Sequence, residues 1–139
     1  MMRRPVRLAP LALVALLAAC HPIAGSAQKA DNAVAWYHGR YNAGDFASIY
    51  RESDPDFRAG MAEEDFMRVM QSFTGKLGAT GESRRTGVNV NVSTSGTRII
   101  AAYQTDFAKA SGVETFTFRV RGKEVRLVNY NINSRALLE

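Results

Sequence analysis

Cysteine is nearly absent from this chain: Cys20 is the only one among 139 residues. One thiol cannot close an intramolecular disulfide, so stability must come from packing. Histidine is almost as scarce, with His21 and His38 alone. A domain with no cysteine beyond position 20 offers no ligand set for a structural zinc, and no metal or cofactor is expected. There is no GxSxG elbow and no phosphate-cradling glycine motif; Gly75-Lys76-Leu77-Gly78 reads as a helix end. Apolar runs are short. Leu8 to Ala18 is eleven residues, and a bilayer span needs roughly 20. Clustered positive charge is missing as well. The formal net charge is +5, but without Arg3, Arg4 and Arg7 fifteen basic residues face thirteen acidic ones. Nucleic acid, which selects a clustered basic face, is not an expected partner. Arg84-Arg85 is only a pair, and Arg119, Arg121, Lys123 and Arg126 straddle a turn, as charges at a solvated hairpin tip do.

What is present begins at the amino terminus. Arg3, Arg4 and Arg7 precede the short apolar run, which is the pattern of a secretory signal peptide. Leu17-Ala18-Ala19-Cys20 then resembles the lipobox of bacterial lipoproteins. That resemblance implies a diacylglyceryl group on the Cys20 sulfur and cleavage before it. Residues 1–19 are then signal peptide, and 20–30, with Pro22, Gly25 and Ser26, reads as a tether to a single domain over 31–139. The membrane is the implied partner, through the lipid. His21, in place of the aspartate associated with retention, points to the outer membrane on its periplasmic side. The alternative is ordinary cleavage after Gly25-Ser26-Ala27, which gives a soluble secreted or periplasmic protein.

Within the domain the hydrophobic period changes once. Asp31 reads as the cap of a first helix with Val34, Tyr37, His38 and Tyr41 on one face, ended by Gly44. Trp36 falls beside that face. Asp45 caps a short second helix carrying Phe46, Ile49 and Tyr50. Ser53-Asp54-Pro55-Asp56 breaks it, and Phe57-Arg58 reads as a stub of strand. The third helix runs from Ala62 to Leu77 with Phe66, Val69, Met70 and Phe73 in its stripe. Thereafter the period is two. Strands are expected over Val88–Val92, Thr97–Phe107, Val113–Arg121 and Glu124–Asn133, with a Gly122-Lys123 hairpin turn. In the last strand Val125 and Leu127 are out of step with Tyr130 and Ile132, which calls for a bulge or a second buried side. Asn129, Asn131 and Asn133 form its wet face. The pattern is α+β: three N-terminal helices packed on a four-stranded antiparallel curved sheet.

Tyr41-x-x-Gly44-Asp45-Phe46, Ile49-Tyr50, Glu64-x-Phe66, Leu77-Gly78, Glu114-x-Phe116 and Tyr130-x-Ile132 resemble small bacterial envelope proteins with a cystatin-like, SnoaL-like α+β roll. The resemblance implies a long helix lying in a curved sheet. Catalytic members, such as ketosteroid isomerase, use carboxylates and tyrosines inside the cone. Asp106, Glu114, Tyr50 and Tyr103 are the analogues available here, and all four are read first as surface charge and core tyrosine. Asp106 is out of step with Tyr103, on the side expected to face solvent. His38 is expected to be packed and hydrogen-bonded, not a ligand. The function expected is therefore a non-catalytic envelope lipoprotein, a binding or assembly module for an envelope protein or a small apolar ligand. The alternative is a small-molecule binder or isomerase-like enzyme using the cone.

Overall fold

The switch from helical to strand periodicity falls at Gly78, the junction about which the chain is laid out. A computed structural model describes residues 21–139; the stretch read as signal peptide and lipobox, with Cys20, lies outside the described residues. Four helices, α1 (His21–Asn42), α2 (Phe46–Glu52), α3 (Pro55–Gly60) and α4 (Glu63–Leu77), precede four strands, β1 (Thr80–Ser93), β2 (Gly96–Phe107), β3 (Ser111–Arg121) and β4 (Glu124–Asn133). A 3-10 turn, Arg135–Leu137, follows. Gly78 caps α4 at φ 79°, and a Cβ there would stand 2.9 Å from that of Ala108. Only glycine serves at this helix-to-sheet turn.

The strands pair antiparallel as an open sheet in the order β1-β2-β3-β4. The apolar residues of β2 and β3 alternate inward, as the period of two demands: Ile99, Ala101, Tyr103 and Phe107, then Phe116, Phe118 and Val120. Helices α1 and α4 and the short α2 bury Tyr37, Tyr41, Ile49, Phe66 and Met70 against them. The core cluster extends from Ala30 to Leu137, so a chain starting at Cys20 carries all of it. On β4 the register shifts between Leu127↔Phe118 and Asn129↔Thr117, leaving Val128 as the extra residue of a bulge. That bulge lets Val125, Leu127, Tyr130 and Ile132 all join the core despite their parity.

Four expectations are corrected. Among the described residues there are four helices, not three, and Phe57-Arg58 belongs to α3, not to a strand. Asp54 is extended and caps α3 through Asp56 N, and Pro55 occupies its first turn. The proline that ends one helix starts the next, its fixed φ suiting the first helical position. Helix α1 already includes His21, within the stretch read as a tether, and Ala27 and Ala30 are buried. Ala27, Ala30, Val34, Tyr37 and Tyr41 make one stripe, whose first members are too small to register as apolar periodicity. Asp31 is consequently inside α1 and caps nothing. Finally, β1 starts at Thr80, well before Val88. Its polar first half is an edge strand with irregularities at Thr80/Ser83 and Arg85/Gly87. The second, at Thr86, puts Arg85 and Val88 on the same inward face.

The α4 stripe is graded: Phe66 is 3% exposed, whereas Phe73 is only half-buried and packs on the Tyr130 ring at 6.4 Å. Phe66→Ala should cost about 3–5 kcal/mol, as aromatic truncation in a core does, and Phe73→Ala about half of that. Urea unfolding of the two variants checks the order; equal losses would contradict the packing described.

Candidate functional site

Strand β3 turns one carboxylate into the core. Glu114 shares the inward face with Phe116 and Phe118 and is 0% exposed. A buried charge is costly unless it is paired and hydrogen-bonded, and here each oxygen is engaged. Thr105 Oγ1 donates to Oε2 at 2.6 Å, and Tyr130 Oη donates to Oε1 at 2.7 Å. His38 Nε2 lies 2.7 Å from Oε2. With Glu114 as carboxylate, Nε2 carries the donated proton and Nδ1 is the free ring nitrogen. Nδ1 has no hydrogen-bond partner among the described residues. Burial pushes the Tyr130 hydroxyl well up, reinforced by Tyr37 and by the charge of Glu114. Burial likewise raises Tyr37, with Glu114 adding to it. Both tyrosines are therefore neutral donors and not bases.

His38 also lines the wall of a cleft of about 540 Å³ between α1 and the β1–β2 edge. Asp31, Ser83, Arg85 and Tyr103 line it too. Tyr103 Oη donates to Asp31 Oδ1 at 2.8 Å, and the Arg85 guanidinium pairs with the same carboxylate. Burial, followed by Asp31, holds the Tyr103 hydroxyl protonated well above its ordinary range. The cleft thus presents an imidazole backed by a buried carboxylate beside an oriented acid–guanidinium pair. Such a set can hold a proton or a polar ligand. No serine or threonine hydroxyl contacts His38 among the described residues; Ser83 Oγ bonds Thr105 Oγ1 at 2.7 Å instead.

A larger groove, about 700 Å³, opens between α1, α2 and the β3–β4 hairpin. Trp36, Ile49, Phe118 and Leu127 line it together with Lys29, Arg40, Glu52, Lys123, Glu124 and Arg126, so its wall is mixed. Trp36 is 40% exposed, and the Arg40 guanidinium stands 5.6 Å from its ring. At the α2–α3 junction Asp54 is buried and takes Arg119 Nη1 at 2.6 Å; Arg119 Nη2 reaches Asp56 at 2.9 Å.

The four cone residues named from the sequence do not converge. Glu114 is not surface charge; its parity with Phe116 and Phe118 places it inside, and that was the signal for it. Tyr103 sits opposite Glu114 across the β2–β3 pair but turns its hydroxyl to Asp31. Tyr50 donates to the carbonyl of Met61 at 2.7 Å and ties α2 to the α3–α4 connection. Asp106 is exposed. Asn129, Asn131 and Asn133 are exposed on β4. Cys20 is outside the described residues. Sequence reasoning missed Asp31, Arg85, Thr105 and Tyr130 as polar partners. Thr105 was legible by the same parity argument, since it falls in step with Tyr103 and Phe107. The Asp31–Arg85 pair joins residues far apart in the chain and has no local signal.

No protein-family model matches the chain, and no curated protein matches it. Among solved structures the Bd1075 protein of Bdellovibrio bacteriovorus is similar, with a TM-score of 0.50 and 12% identity over 77% of this chain. The match covers 40% of that protein, so this chain spans less than half of its length. At this identity the likeness is one of fold, an α+β architecture, and of nothing further.

The buried tyrosines set a pH dependence. Their folded pKa lies above the ordinary 10.0, so their contribution is complete below pH 10 and is lost as pH rises through the folded value. Tyr130→Phe leaves a Glu114 oxygen unpaired and should cost about 1–3 kcal/mol at neutral pH. It should also lose less stability than wild type above pH 10, because one titrating group is gone. Urea titrations on either side of that pH check both outcomes.

Proposed function

We propose that this chain is a lipid-anchored, non-catalytic binding module of the bacterial cell envelope, built on a cystatin-like roll with α1 lying across the sheet. The observation that carries the reading is the early part of α1. It is already helical at His21, and its buried Ala27 and Ala30 belong to the packed domain. Cleavage before Cys20 leaves its described length, His21–Asn42, in place. Cleavage after Ala27 would remove His21 to Ala27 and with them the Ala27 carbonyl that Arg85 Nη1 meets at 3.4 Å. The binding role rests on the Trp36 groove, whose size and whose exposed Trp36 ring among Arg40, Lys123 and Glu124 suit a segment of another envelope protein or a small ligand with an apolar part. The buried carboxylates of Glu114 and Asp54 serve internal partners, which favours a structural over a catalytic assignment for them.

Metabolic labelling with a radioactive fatty acid should mark wild type and not Cys20→Ala. Wild type should fractionate with the outer membrane and the variant with the soluble periplasm. A mature chain that begins at Gln28 on intact mass spectrometry would overturn the anchor.

One observation favours a second reading, the isomerase-like enzyme: the His38–Glu114 pair beside the Asp31–Arg85–Tyr103 cleft. That reading needs Nδ1 of His38 as the base. A panel of small ketones incubated in D₂O tests it by NMR. Exchange of α-protons by wild type that His38→Gln abolishes would replace the non-catalytic reading with the enzymatic one.

A further inference from the structure

Of the basic residues at the hairpin-tip end of the domain, Lys29 and Lys123 line the Trp36 groove, and Arg121 belongs to neither site described above. We infer that this end of the domain lies on the membrane, with Lys29, Arg121 and Lys123 against anionic phospholipid headgroups; its orientation rests on the proposed anchor at Cys20.

Helix α1 and strand β1 run in opposite directions. Asn42, at the end of α1, bonds Thr80, at the start of β1. Ala27, near the beginning of α1, meets Arg85 further along β1. The amino end of α1 therefore points toward the end of the sheet where β1 turns into β2. The two hairpin tips are joined there, because Arg121 Nε donates to the Ser95 carbonyl at 3.2 Å. Lys29 of α1 and Lys123 of the β3–β4 turn both line the Trp36 groove. Lys29, Arg121 and Lys123 are all exposed, and among the described residues none of the three pairs with a carboxylate. Their neighbours differ: Arg119 is held by Asp54 and Asp56, and Arg126 by Glu124. Two large apolar side chains flank this end, Ile23 in the first turn of α1 at 57% exposure and Val92 just before the β1–β2 turn at 78%.

The chain is already helical at His21, so a lipid on the adjacent Cys20 is held close to the domain. The basic tips are then delivered to the headgroup region, where cations gain from the negative surface and exposed aliphatic groups are tolerated. An acyl anchor and a basic patch together hold a protein better than either does alone.

The test uses the unlipidated chain from Cys20 to Glu139 carrying Cys20→Ala, sedimented with vesicles of phosphatidylcholine with or without phosphatidylglycerol. Binding is expected only with phosphatidylglycerol, weakening as salt is raised. The triple variant Lys29→Gln/Arg121→Gln/Lys123→Gln should bind about a hundredfold more weakly, each basic side chain contributing roughly fivefold. A control of equal net charge, Arg68→Gln/Arg84→Gln/Arg135→Gln, should bind as wild type does. Three results would overturn the inference: no preference for phosphatidylglycerol, equal losses in both triples, or release of wild type by millimolar inorganic phosphate at constant ionic strength, which would mean a site for free phosphate. A finding that Cys20 is not acylated in cells would defeat the anchor and leave this vesicle result standing.

Discussion

A single buried carboxylate ties most of the structure together. Glu114 on β3 is reached by Thr105 from β2, Tyr130 from β4 and His38 from α1. Three strands and the longest helix therefore meet at one charge. Leaving any of those bonds unmade would expose the desolvation cost of an ion in the interior. The network consequently restricts how α1 can slide or rotate over the sheet, which dispersion between aromatic rings would restrict only weakly. Around it the rings of Tyr37, Phe116 and Tyr130 pack at centroid distances of 5.0–5.1 Å, and these contacts follow the placement that the polar bonds impose.

A second buried acid does for the periphery what Glu114 does for the centre. Asp54 caps α3, takes the Arg119 guanidinium, and through its backbone N–H bonds the Leu127 carbonyl at 2.8 Å. The α2–α3 junction is thereby fixed to the outer edge of β4. With both interior carboxylates bonded to the framework, the two clefts along α1 and the charged hairpin tips are among the surfaces left to meet other molecules.

Much of this was legible in the sequence, and the reasons for the remainder are specific. The α4 stripe and the alternation in β2 and β3 predict the core because large apolar side chains mark their own period. The mismatch within β4 was legible as an anomaly, and the Val128 bulge is its physical resolution. The beginning of α1 was not, because alanine contributes to a buried stripe while looking like linker composition. The start of β1 was hidden for the opposite reason: an edge strand half in solvent needs no apolar alternation. Pro55 shows how one residue supports two readings, since the ring that stops α2 also satisfies the first turn of α3. As for the candidate site, Glu114 could be read from strand parity, but His38, Asp31 and Arg85 come together only through the crossing of α1 over β1 and β2.

The bond from Asp54 to Leu127 has a further consequence for how copies of this domain behave beside one another. A four-stranded open sheet has two free margins, and a flat margin is a template for pairing with a neighbour. One margin is engaged here by the chain's own α2–α3 junction. The other, β1, is irregular at Thr80/Ser83 and Arg85/Gly87 and carries Glu82, Arg84 and Arg85 along its first half. Pairing between neighbouring copies is thereby confined to the regular, uncharged stretches that remain, Gly87–Ser93 of β1 and Val128–Asn133 of β4.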